Sequence, residues 1–367
     1  MSATFLTGGY TDSSGGNARG IGLVRPTSGG ELAFAGLAAR ASSPSFLVNG
    51  ELEGVLYSVD EVGNRVLAFE GDLRNAGNET KEANKGNEAN EGGPLRTLGW
   101  QRSSGTGPCH LSATRDWLYS SNYGTGEIDV FPLGHDGSIG PLYDSVVPAA
   151  CAPGPHSAQD GPHAHSTLVL SNPVLGDTVL GDTVLGDTVL SADLGCDSVG
   201  IHRWVDGHLT RVRSIAFPPG TGPRDIAVGP DGRVFVLGEF SGAVFELASL
   251  DTEMPGISRS GPVTASPVPG DQAAGLVFAP DGRHLYTGLR GSNRVAVVKV
   301  DDLTPVETVD CGGDWPRHLA IDAGTLMVAC ERSGTVCMLP IDEQTGVPRP
   351  GSTIEVPTPT YLLAAGA

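Results

Sequence analysis

Residues 161–204 decide the fold: they read GPHAHSTLVL, then a repetitive segment, then VLSADLGCDSVGIHRW. Two apolar runs are bounded by polar residues at the start of the first run and at the end of the second. Because alternate side chains of a strand share a face, this pattern predicts a strand that directs His163 and His165 the same way, and a second strand that ends at Asp193. The same order of polar start, apolar run, turn, apolar run and polar end recurs along the chain, so this stretch is one copy of a repeat.

Six copies of the repeat can be recognised. They occupy residues 43–70, 107–133, 161–204, 222–248, 273–300 and 315–341. Each copy contains short apolar runs separated by turn residues, which is typical of the blades of a β-propeller. Two further strands are predicted at Phe5–Tyr10 and Gly20–Val24, and the tail VPTPTYLLAAGA supplies one more. We therefore predict an all-β, seven-bladed β-propeller in a single domain, 1–367, whose ring is closed by the N- and C-terminal strands in one blade.

The composition of the 367 residues favours short strands and limits the partners. Glycine (53 residues) and proline (27) are abundant, and aromatic residues make up only 6% of the chain. The formal net charge of −19 argues against nucleic acid or an anionic membrane as a partner, since both require a basic surface. No charged and then apolar leader opens the sequence, and no apolar run approaches the length of a membrane span, so a cytoplasmic protein is expected.

The cysteines and two unusual segments complete the outline. The six cysteines form no CxxC pair, and in a large reduced domain they are predicted to be small buried hydrophobic residues. Residues 71–94 lack large apolar side chains and are rich in Asn, Glu and Gly, so they are predicted to form a disordered surface insertion. The motif VLGDT is repeated in tandem at 174–188, and we interpret it as an expanded loop without a chemical role.

The repeat also predicts which polar side chains meet. Asp231–Gly232 and Asp281–Gly282 each stand between two apolar runs, which is a strong hairpin signal. Because a hairpin is antiparallel, the residue that begins the first strand lies beside the residue that ends the second. The expected neighbours are Arg224 and Glu239, His110 and Asn122, His163 or His165 and Asp193, and Arg317 and Glu331, with Arg290 contributed by the fifth copy. Since the innermost strands of a propeller converge on its channel, these residues are predicted to ring one small-molecule site.

The polar residues of the copy at 161–204 could also have two other roles. Asp193 is equally suited to capping a turn with its carboxylate. His163 and His165 beside a carboxylate could ligate a metal, but no HExxH motif or cysteine cluster accompanies them, so no metal is predicted.

These motifs resemble the lactonase family of seven-bladed propellers, which includes propeller-type 6-phosphogluconolactonases and carboxy-cis,cis-muconate cyclases. The resemblance extends over nearly the whole chain, from FLTGGYT and SPSFL through GPCHLS, SNYGTG, DGPHAHS, ADLGCD and GPR to LRGSN and WPRHLAID. DGPHAHS followed by ADLG is the most specific element. The resemblance implies catalytic roles for His165, Arg224, Glu239 and Arg290. The residues expected to bind the substrate are His110, Asn122, His163, Asp193, Arg317, His318 and Glu331.

The chain differs from the family pattern at four of these positions or their neighbours. It has Asp225 where the family has a histidine after GPR, and Gly275 in place of the glutamate of an Ala-Glu pair. It has His318 where an aspartate follows Pro-Arg, and Glu331 in place of an amide. These differences leave the implied chemistry intact and bear on which substrate is accepted.

The resemblance implies hydrolysis of a lactone without a redox cofactor. His165 or Glu239 would act as the general base on water, while Arg224 and Arg290 would stabilise the oxyanion and hold a carboxylate or phosphate. The expected substrate is a small anionic lactone of a sugar or sugar phosphate, of the 6-phosphogluconolactone type. The alternatives are a lactone-forming cycloisomerase acting on a muconate-type diacid, a non-catalytic propeller that binds protein partners, and a metal-dependent gluconolactonase.

Overall fold

The structure is a computed structural model that describes residues 3–73, 93–170 and 188–365. Apart from their edges, the predicted insertion at 71–94 and the repeat loop at 174–188 lie outside the described residues. Within those ranges, no helix is both long enough and apolar enough to cross a membrane.

The described chain forms seven four-stranded antiparallel sheets, which confirms the predicted seven-bladed β-propeller. We number the strands in chain order and the blades from 1 to 7. Blade 1 contains β1 (Phe5–Gly9), β2 (Gly20–Pro26) and β3 (Leu32–Arg40), with a 3₁₀ turn (Asp12–Ser14) between the first two. Blade 2 contains β4 (Leu47–Asn49), β5 (Val55–Asp60), β6 (Arg65–Glu70) and β7 (Arg96–Arg102). Blade 3 contains β8 (Pro108–Ala113), β9 (Trp117–Asn122), β10 (Ile128–Pro132) and β11 (Asp144–Val146).

The remaining blades follow the same plan. Blade 4 contains β12 (Ala164–Leu170), β13 (Thr188–Asp193), β14 (Ser198–Val205) and β15 (His208–Ala216). Blade 5 contains β16 (Pro223–Val228), β17 (Val234–Gly238), β18 (Ala243–Ala248) and β19 (Gly256–Pro262). Blade 6 contains β20 (Gln272–Phe278), β21 (His284–Arg290), β22 (Arg294–Lys299) and β23 (Pro305–Asp310). Blade 7 contains β24 (Pro316–Asp322), β25 (Thr325–Cys330), β26 (Thr335–Pro340) and β27 (Ser352–Glu355), and the last strand, β28 (Pro359–Ala364), returns to blade 1.

The ring is closed by the two ends of the chain. Strand β28 pairs antiparallel with β1, in a register that sets Phe5 opposite Ala364 and Leu6 opposite Leu363. The innermost strands then contact one another around the channel in the order β28, β4, β8, β12, β16, β20 and β24. This pairing supplies blade 1 with its innermost strand, so all seven blades have four strands, as predicted from the orphan strands at the two termini.

The hydrophobic core lies between neighbouring blades. Leu190 and Val199 of blade 4, for example, share a buried cluster with Ile226 and Val236 of blade 5. A strand whose two faces are covered by the neighbouring blades needs no alternation of apolar and polar residues. Strand β21, HLYTGLR, is accordingly buried at every position. Each fully buried aliphatic side chain of this kind contributes roughly 1.5–3 kcal/mol of transfer free energy.

The predicted hairpin turns are confirmed in blades 5 and 6. Gly232 and Gly282 have φ angles of 80° and 67°, which glycine adopts readily after the aspartate of each turn. The register of β16 with β17 places Val228 opposite Val234 near the turn and Pro223 opposite Gly238 at the other end. The start of an innermost strand therefore lies beside the end of the next strand, on the face of the ring opposite the turns.

The prediction that all six cysteines are reduced and buried is wrong for two of them. Cys151 and Cys196 form a disulfide with a Cα–Cα distance of 5.7 Å across a sequence separation of 45 residues. The bond joins the segment before β12 to the turn between β13 and β14, and no spacing in the sequence shows that these two loops meet. The other four cysteines are free; Cys109 is half-buried, and Cys311, Cys330 and Cys337 are buried.

Candidate active site

An irregularity of register occurs at the start of the innermost strand in five consecutive blades. The register shifts at Cys109 in β8, at His165 in β12, at Arg224 in β16, at Gly275 and Leu276 in β20, and at Arg317 in β24. A β-bulge places an extra residue in one strand, bends the strand and breaks the alternation of its side chains. Two consecutive residues of a strand can therefore point to the channel, which a regular strand does not permit.

The bulged residues and their neighbours line one cavity to which all seven blades contribute. Its lining consists of Thr360 and Tyr361 from blade 1, Ser45 and Phe46 at the start of blade 2, Cys109 and His110 from blade 3, His165 from blade 4, Arg224 and Asp225 from blade 5, Gly275 from blade 6, and Arg317 and His318 from blade 7. The predicted convergence of the repeats is thus observed for His110, His165, Arg224, Arg317 and His318.

Arg224 is held by a buried ion pair with Glu239, as the hairpin geometry predicts. Its Nη1 lies 2.5 Å from Glu239 Oε2, and Nη2 of Arg290 lies 2.8 Å from the same oxygen without the alignment of a hydrogen bond. Burial by itself would raise the pKa of Glu239, but the two guanidinium groups outweigh it and hold this pKa below its ordinary value. Glu239 and Arg290 lie behind Arg224 and outside the lining of the cavity.

Arg317 of blade 7 is also held by a carboxylate. Its Nη1 donates to Glu331 Oε2 at 3.2 Å, and its Nη2 donates to the Tyr10 hydroxyl at 2.6 Å. Tyr10 in turn donates to Glu61 at 3.4 Å, and the Ser45 hydroxyl donates to the same carboxylate. Burial would lower the pKa of Arg317, yet the pKa is raised because Tyr10 and Glu331 favour the charged form.

Three imidazoles complete the cavity, and all three are neutral. Burial, reinforced by Arg224, lowers the pKa of His110 to about 3. Burial, with smaller contributions from His110 and Arg224, lowers the pKa of His318 to about 3. The pKa of His165 falls well below 6.5 for the same reasons, burial first and then the neighbouring arginines.

The hydrogen bonds of these rings assign their tautomers. Nδ1 of His110 accepts the backbone N–H of Thr167 at 3.3 Å, and Nδ1 of His318 accepts that of Leu362 at 3.2 Å. The proton of each neutral ring is therefore on Nε2. His165 differs, because its buried Nδ1 has no hydrogen-bond partner among the described residues.

An arc of rings forms one wall of the cavity. Phe46 lies between His110 and Tyr361, with centroid distances of 4.1 and 4.2 Å, and Tyr361 lies 3.8 Å from His318. The four rings come from four successive blades. Together with the arginines of the lining they give the cavity both ring surfaces and charged groups, as small-molecule sites commonly combine an apolar wall with a few convergent polar groups.

Asp225 is the acidic member of the lining. Its Oδ1 accepts the N–H of Ile226 at 3.0 Å and its Oδ2 accepts the N–H of Leu276 at 2.9 Å. Burial raises the pKa of this carboxyl, and Arg224 opposes that shift. The sequence marked this position only as a difference from the family pattern, although it lies in the cavity beside Arg224.

The prediction that His163 and His165 point the same way is wrong. His163 precedes β12 and stacks on Tyr123 at a centroid distance of 4.8 Å. Its Nδ1 lies 2.6 Å from the Tyr123 carbonyl oxygen and its Nε2 lies 2.7 Å from Asp160 Oδ1. The bulge at His165 breaks the two-residue period of the strand, so His165 reaches the cavity and His163 does not.

Asp193 and Asn122 also lie away from the cavity. Oδ1 of Asp193 accepts the backbone N–H groups of His163, Gly195 and Cys196 at 2.9 to 3.1 Å, which is the turn-capping arrangement considered as the alternative. The amide of Asn122 donates to Asp129 Oδ2 at 2.9 Å inside blade 3. Both side chains hold the loops that carry the site rather than line the cavity.

Sequence reasoning missed the residues that are not charged. Cys109 lies beside His165, to whose carbonyl oxygen its thiol donates at 3.4 Å, and burial raises the pKa of this thiol to about 12. Phe46 and Tyr361 are not predicted, because the pattern of the repeats identifies only polar residues at strand ends. Cys109 in GPCH occupies the same position of the repeat as Arg224 in GPRD, so an alignment of the repeats could have predicted that Cys109 lies in the site.

In the described part of the chain, no three His, Cys, Asp or Glu side chains are grouped as metal ligands.

Comparison with known proteins gives consistent results. The family described as a lactonase with a seven-bladed β-propeller matches residues 4–364. A 6-phosphogluconolactonase of Bacillus subtilis (strain 168) is 29% identical over 344 residues, which cover 89% of this chain and 88% of the relative. The crystal structure of a candidate 6-phosphogluconolactonase from Bacteroides fragilis has a TM-score of 0.80 at 27% identity, with 98% of this chain and 97% of that chain covered. A periplasmic gluconolactonase of Pseudomonas aeruginosa shares the fold, with a TM-score of 0.80 at 23% identity and 99% of both chains covered.

Proposed function

Because the chain belongs to the lactonase family of seven-bladed β-propellers, we propose that its central cavity hydrolyses a sugar lactone of the 6-phosphogluconolactone type. The observation that carries this proposal is the presence of Arg224, Arg317 and three neutral imidazoles in one cavity. Such a set suits the attack of water on an ester carbonyl, because it combines a proton acceptor with cationic donors for the oxyanion.

His165 is the general base in this proposal. Glu239 is the weaker candidate, because two arginines hold it as a carboxylate outside the lining of the cavity. His165 lines the cavity, and no hydrogen bond to its buried Nδ1 fixes the tautomer of the ring, so the neutral ring can accept a proton from water in the cavity. The nearby arginines disfavour an imidazolium in the free protein, but negative charge that develops on the substrate would offset their field. Proton transfer to His165 therefore becomes favourable as the lactone carbonyl turns into an oxyanion.

The reaction then proceeds in two steps. Water adds to the carbonyl carbon while His165 takes its proton, and Arg224 and Arg317 donate to the oxyanion. The tetrahedral intermediate next breaks its ring C–O bond, and the imidazolium returns the proton to the departing alkoxide. The product is a hydroxy carboxylic acid, which releases a proton to solvent and becomes a carboxylate. A positioned base typically contributes about 10²–10⁴-fold in rate.

The first prediction concerns turnover and the role of Arg224. We expect hydrolysis of freshly generated 6-phosphogluconolactone, corrected for spontaneous opening, to resist a metal chelator. Replacing Arg224 by alanine removes an oxyanion donor and should lower kcat by about 10²–10³-fold. Arg283→Ala is the matched control, since Arg283 is exposed on the hairpin turn of blade 6. The proposal fails if the wild type opens neither this lactone nor unphosphorylated gluconolactone, or if Arg224→Ala retains full kcat.

The cytoplasmic location expected from the sequence stays a prediction, as does a place in carbohydrate metabolism through the pentose phosphate pathway. The Cys151–Cys196 disulfide argues against a reducing compartment, because such bonds persist mainly in oxidising ones. Blocking free thiols during lysis, followed by mass measurement of the isolated chain, would show whether the bond is present in the cell.

A further inference from the structure

The arginines that hold the cavity together are already balanced by carboxylates. Arg224 and Arg290 share Glu239, and Arg317 is paired with Glu331. Asp225, which lines the cavity, adds a third carboxyl group next to these arginines. The inner site therefore offers donors for an oxyanion but has no surplus of positive charge. A phosphate dianion binds best where cationic side chains neutralise both of its charges.

A further arginine, Arg332, lies on the face of the ring on which the innermost strands begin, and its charge is not balanced in this way. Arg332 follows Glu331 in the loop after β25 and is exposed, and none of the described carboxylates forms an ion pair with it. Its guanidinium carbon lies 3.4 Å from the centroid of the Trp315 ring. Stacking on an aromatic face orients a guanidinium and leaves the N–H groups at its edge free to donate.

Trp315 lies between this exposed arginine and the buried ion-pair group beside the cavity. The guanidinium of Arg290 lies 5.4 Å from the centroid of the same ring, and Trp315 stands two positions before Arg317. The indole therefore lies between the exposed Arg332 and the buried group formed by Arg290, Glu239 and Arg224. Two guanidinium groups near one ring repel each other, and an anion bound beside them would relieve that repulsion.

The backbone of Trp315 is held in an uncommon conformation. Its φ is 67°, a left-handed value that is costly for an aromatic residue. The Trp315 N–H donates to Asn293 Oδ1 at 2.9 Å, the Glu331 N–H donates to the Trp315 carbonyl at 3.1 Å, and the Arg332 N–H donates to the Asp314 carbonyl at 3.2 Å. Three hydrogen bonds thus fix the backbone that carries the ring and the arginine beside it.

We infer that Arg332, oriented by Trp315, is the residue that receives the phosphate of a phosphorylated sugar lactone while its carbonyl lies among the histidines. This inference rests on the proposed lactonase function. In a 6-phosphorylated aldonolactone, the phosphate and the carbonyl are at opposite ends of the carbon chain. The outer end of such a substrate would point toward the face of the ring that carries Arg332, which supplies the charge that the inner site lacks. Arg332 is a specificity-determining residue, and Trp315 is a positioning residue.

The second prediction tests this assignment by comparing two substrates in two variants. We expect the wild type to prefer 6-phosphogluconolactone over gluconolactone. Arg332→Gln should lower kcat/KM for the phosphorylated lactone by about tenfold, through KM, because one charge-assisted contact is lost. Its kcat/KM for gluconolactone should stay unchanged. Trp315→Phe should keep most of the preference, since the smaller ring still offers a face, whereas Trp315→Ala should lose it.

A control and a binding measurement separate the outcomes. Arg283→Gln, which removes an exposed arginine on the opposite face of the ring, should behave as wild type. The inhibition constant of 6-phosphogluconate should rise in Arg332→Gln, while that of gluconate should not. Equal turnover of both lactones by the wild type, or a preference retained in Arg332→Gln, would overturn the inference and leave the lactonase function standing. No turnover of either lactone would remove the proposed function itself.

Discussion

Each histidine of the cavity is kept neutral by its surroundings. Burial is the largest cause, and the guanidinium of Arg224 adds to it. A neutral ring can accept a proton from water at neutral pH, which is the property that the proposed mechanism requires. The same arrangement makes the folded protein sensitive to acid, because the unfolded chain binds protons that the folded site excludes.

The third prediction concerns stability against pH. Unfolded histidines bind protons near pH 6.5, whereas folded His110 and His318 do so only near about pH 3. Their contribution to stability is therefore complete above pH 6.5 and is lost as the pH falls toward 3. We expect Tm to fall between about pH 7 and about pH 4, and to fall less steeply in His318→Gln, whose unfolding takes up about one proton fewer.

Calorimetry over this pH range provides the measurement. The exposed His135 offers a control, because His135→Gln should leave the slope of Tm against pH at its wild-type value. An identical slope for His318→Gln and the wild type would show that His318 is not held neutral in the folded state.

The β-bulge is the element that converts a regular propeller strand into part of a site. In blades 3, 5 and 7 it presents two consecutive side chains to the channel, for example Arg224 with Asp225. In blade 6 the bulge contains a glycine with a φ of 71°. A Cβ at Gly275 would lie 2.8 Å from Leu319 Cδ1 and 3.4 Å from His318 Cα, so this position requires glycine for both conformation and space.

The fourth prediction follows from that position. Gly275→Ala should lower the free energy of unfolding by about 1–3 kcal/mol, because it forces a Cβ into a left-handed conformation against blade 7. It should also lower kcat/KM for the lactone, since Gly275 lines the cavity and the added Cβ displaces the side chain of Leu319, which follows His318. Gly256→Ala is the matched control: a Cβ there meets nothing within 4 Å, and the change should be neutral or slightly stabilising. Urea unfolding of both variants measures the difference, and equal stabilities would contradict the account of the bulge.

At the scale of the whole molecule, closure of the ring assembles the site from distant parts of the chain. Tyr361 of β28 lies against Phe46 and His318, and the hydroxyl of Tyr10 accepts a hydrogen bond from Arg317 across 307 residues of sequence. The disulfide adds a second long-range connection, next to the cap formed by Asp193. Both constraints hold loops at the mouth in place.

The fifth prediction concerns the disulfide. Linking residues separated by 45 positions restricts the unfolded chain, and a loop of this length corresponds to about 4 kcal/mol in the chain-entropy model. We therefore expect a reductant to lower the free energy of unfolding of the wild type by up to this amount. The urea midpoint should then shift to a lower concentration. A variant in which Cys151 and Cys196 are both serine should be less stable and insensitive to the reductant. A wild-type midpoint that is also insensitive would indicate that the bond is not formed.

The sequence by itself determined the architecture. Six copies of a strand–turn–strand pattern, Asp-Gly hairpins and orphan strands at both ends specify seven blades and a closed ring, because antiparallel pairing and alternation are local properties. The same local rule placed Arg224 beside Glu239 and Arg317 beside Glu331. These contacts follow from hairpin register alone.

Only the tertiary structure decided which side chains enter the cavity. The bulge at His165 separates it from His163, and the bulges elsewhere bring in Cys109 and Asp225, which regular alternation would direct away. Phe46 and Tyr361 become neighbours through ring closure, and Cys151 meets Cys196 through the packing of two loops. A bulge depends on how a strand fits against neighbouring blades, and long-range contacts depend on the closure of the whole ring, so neither is encoded in the period of a single repeat.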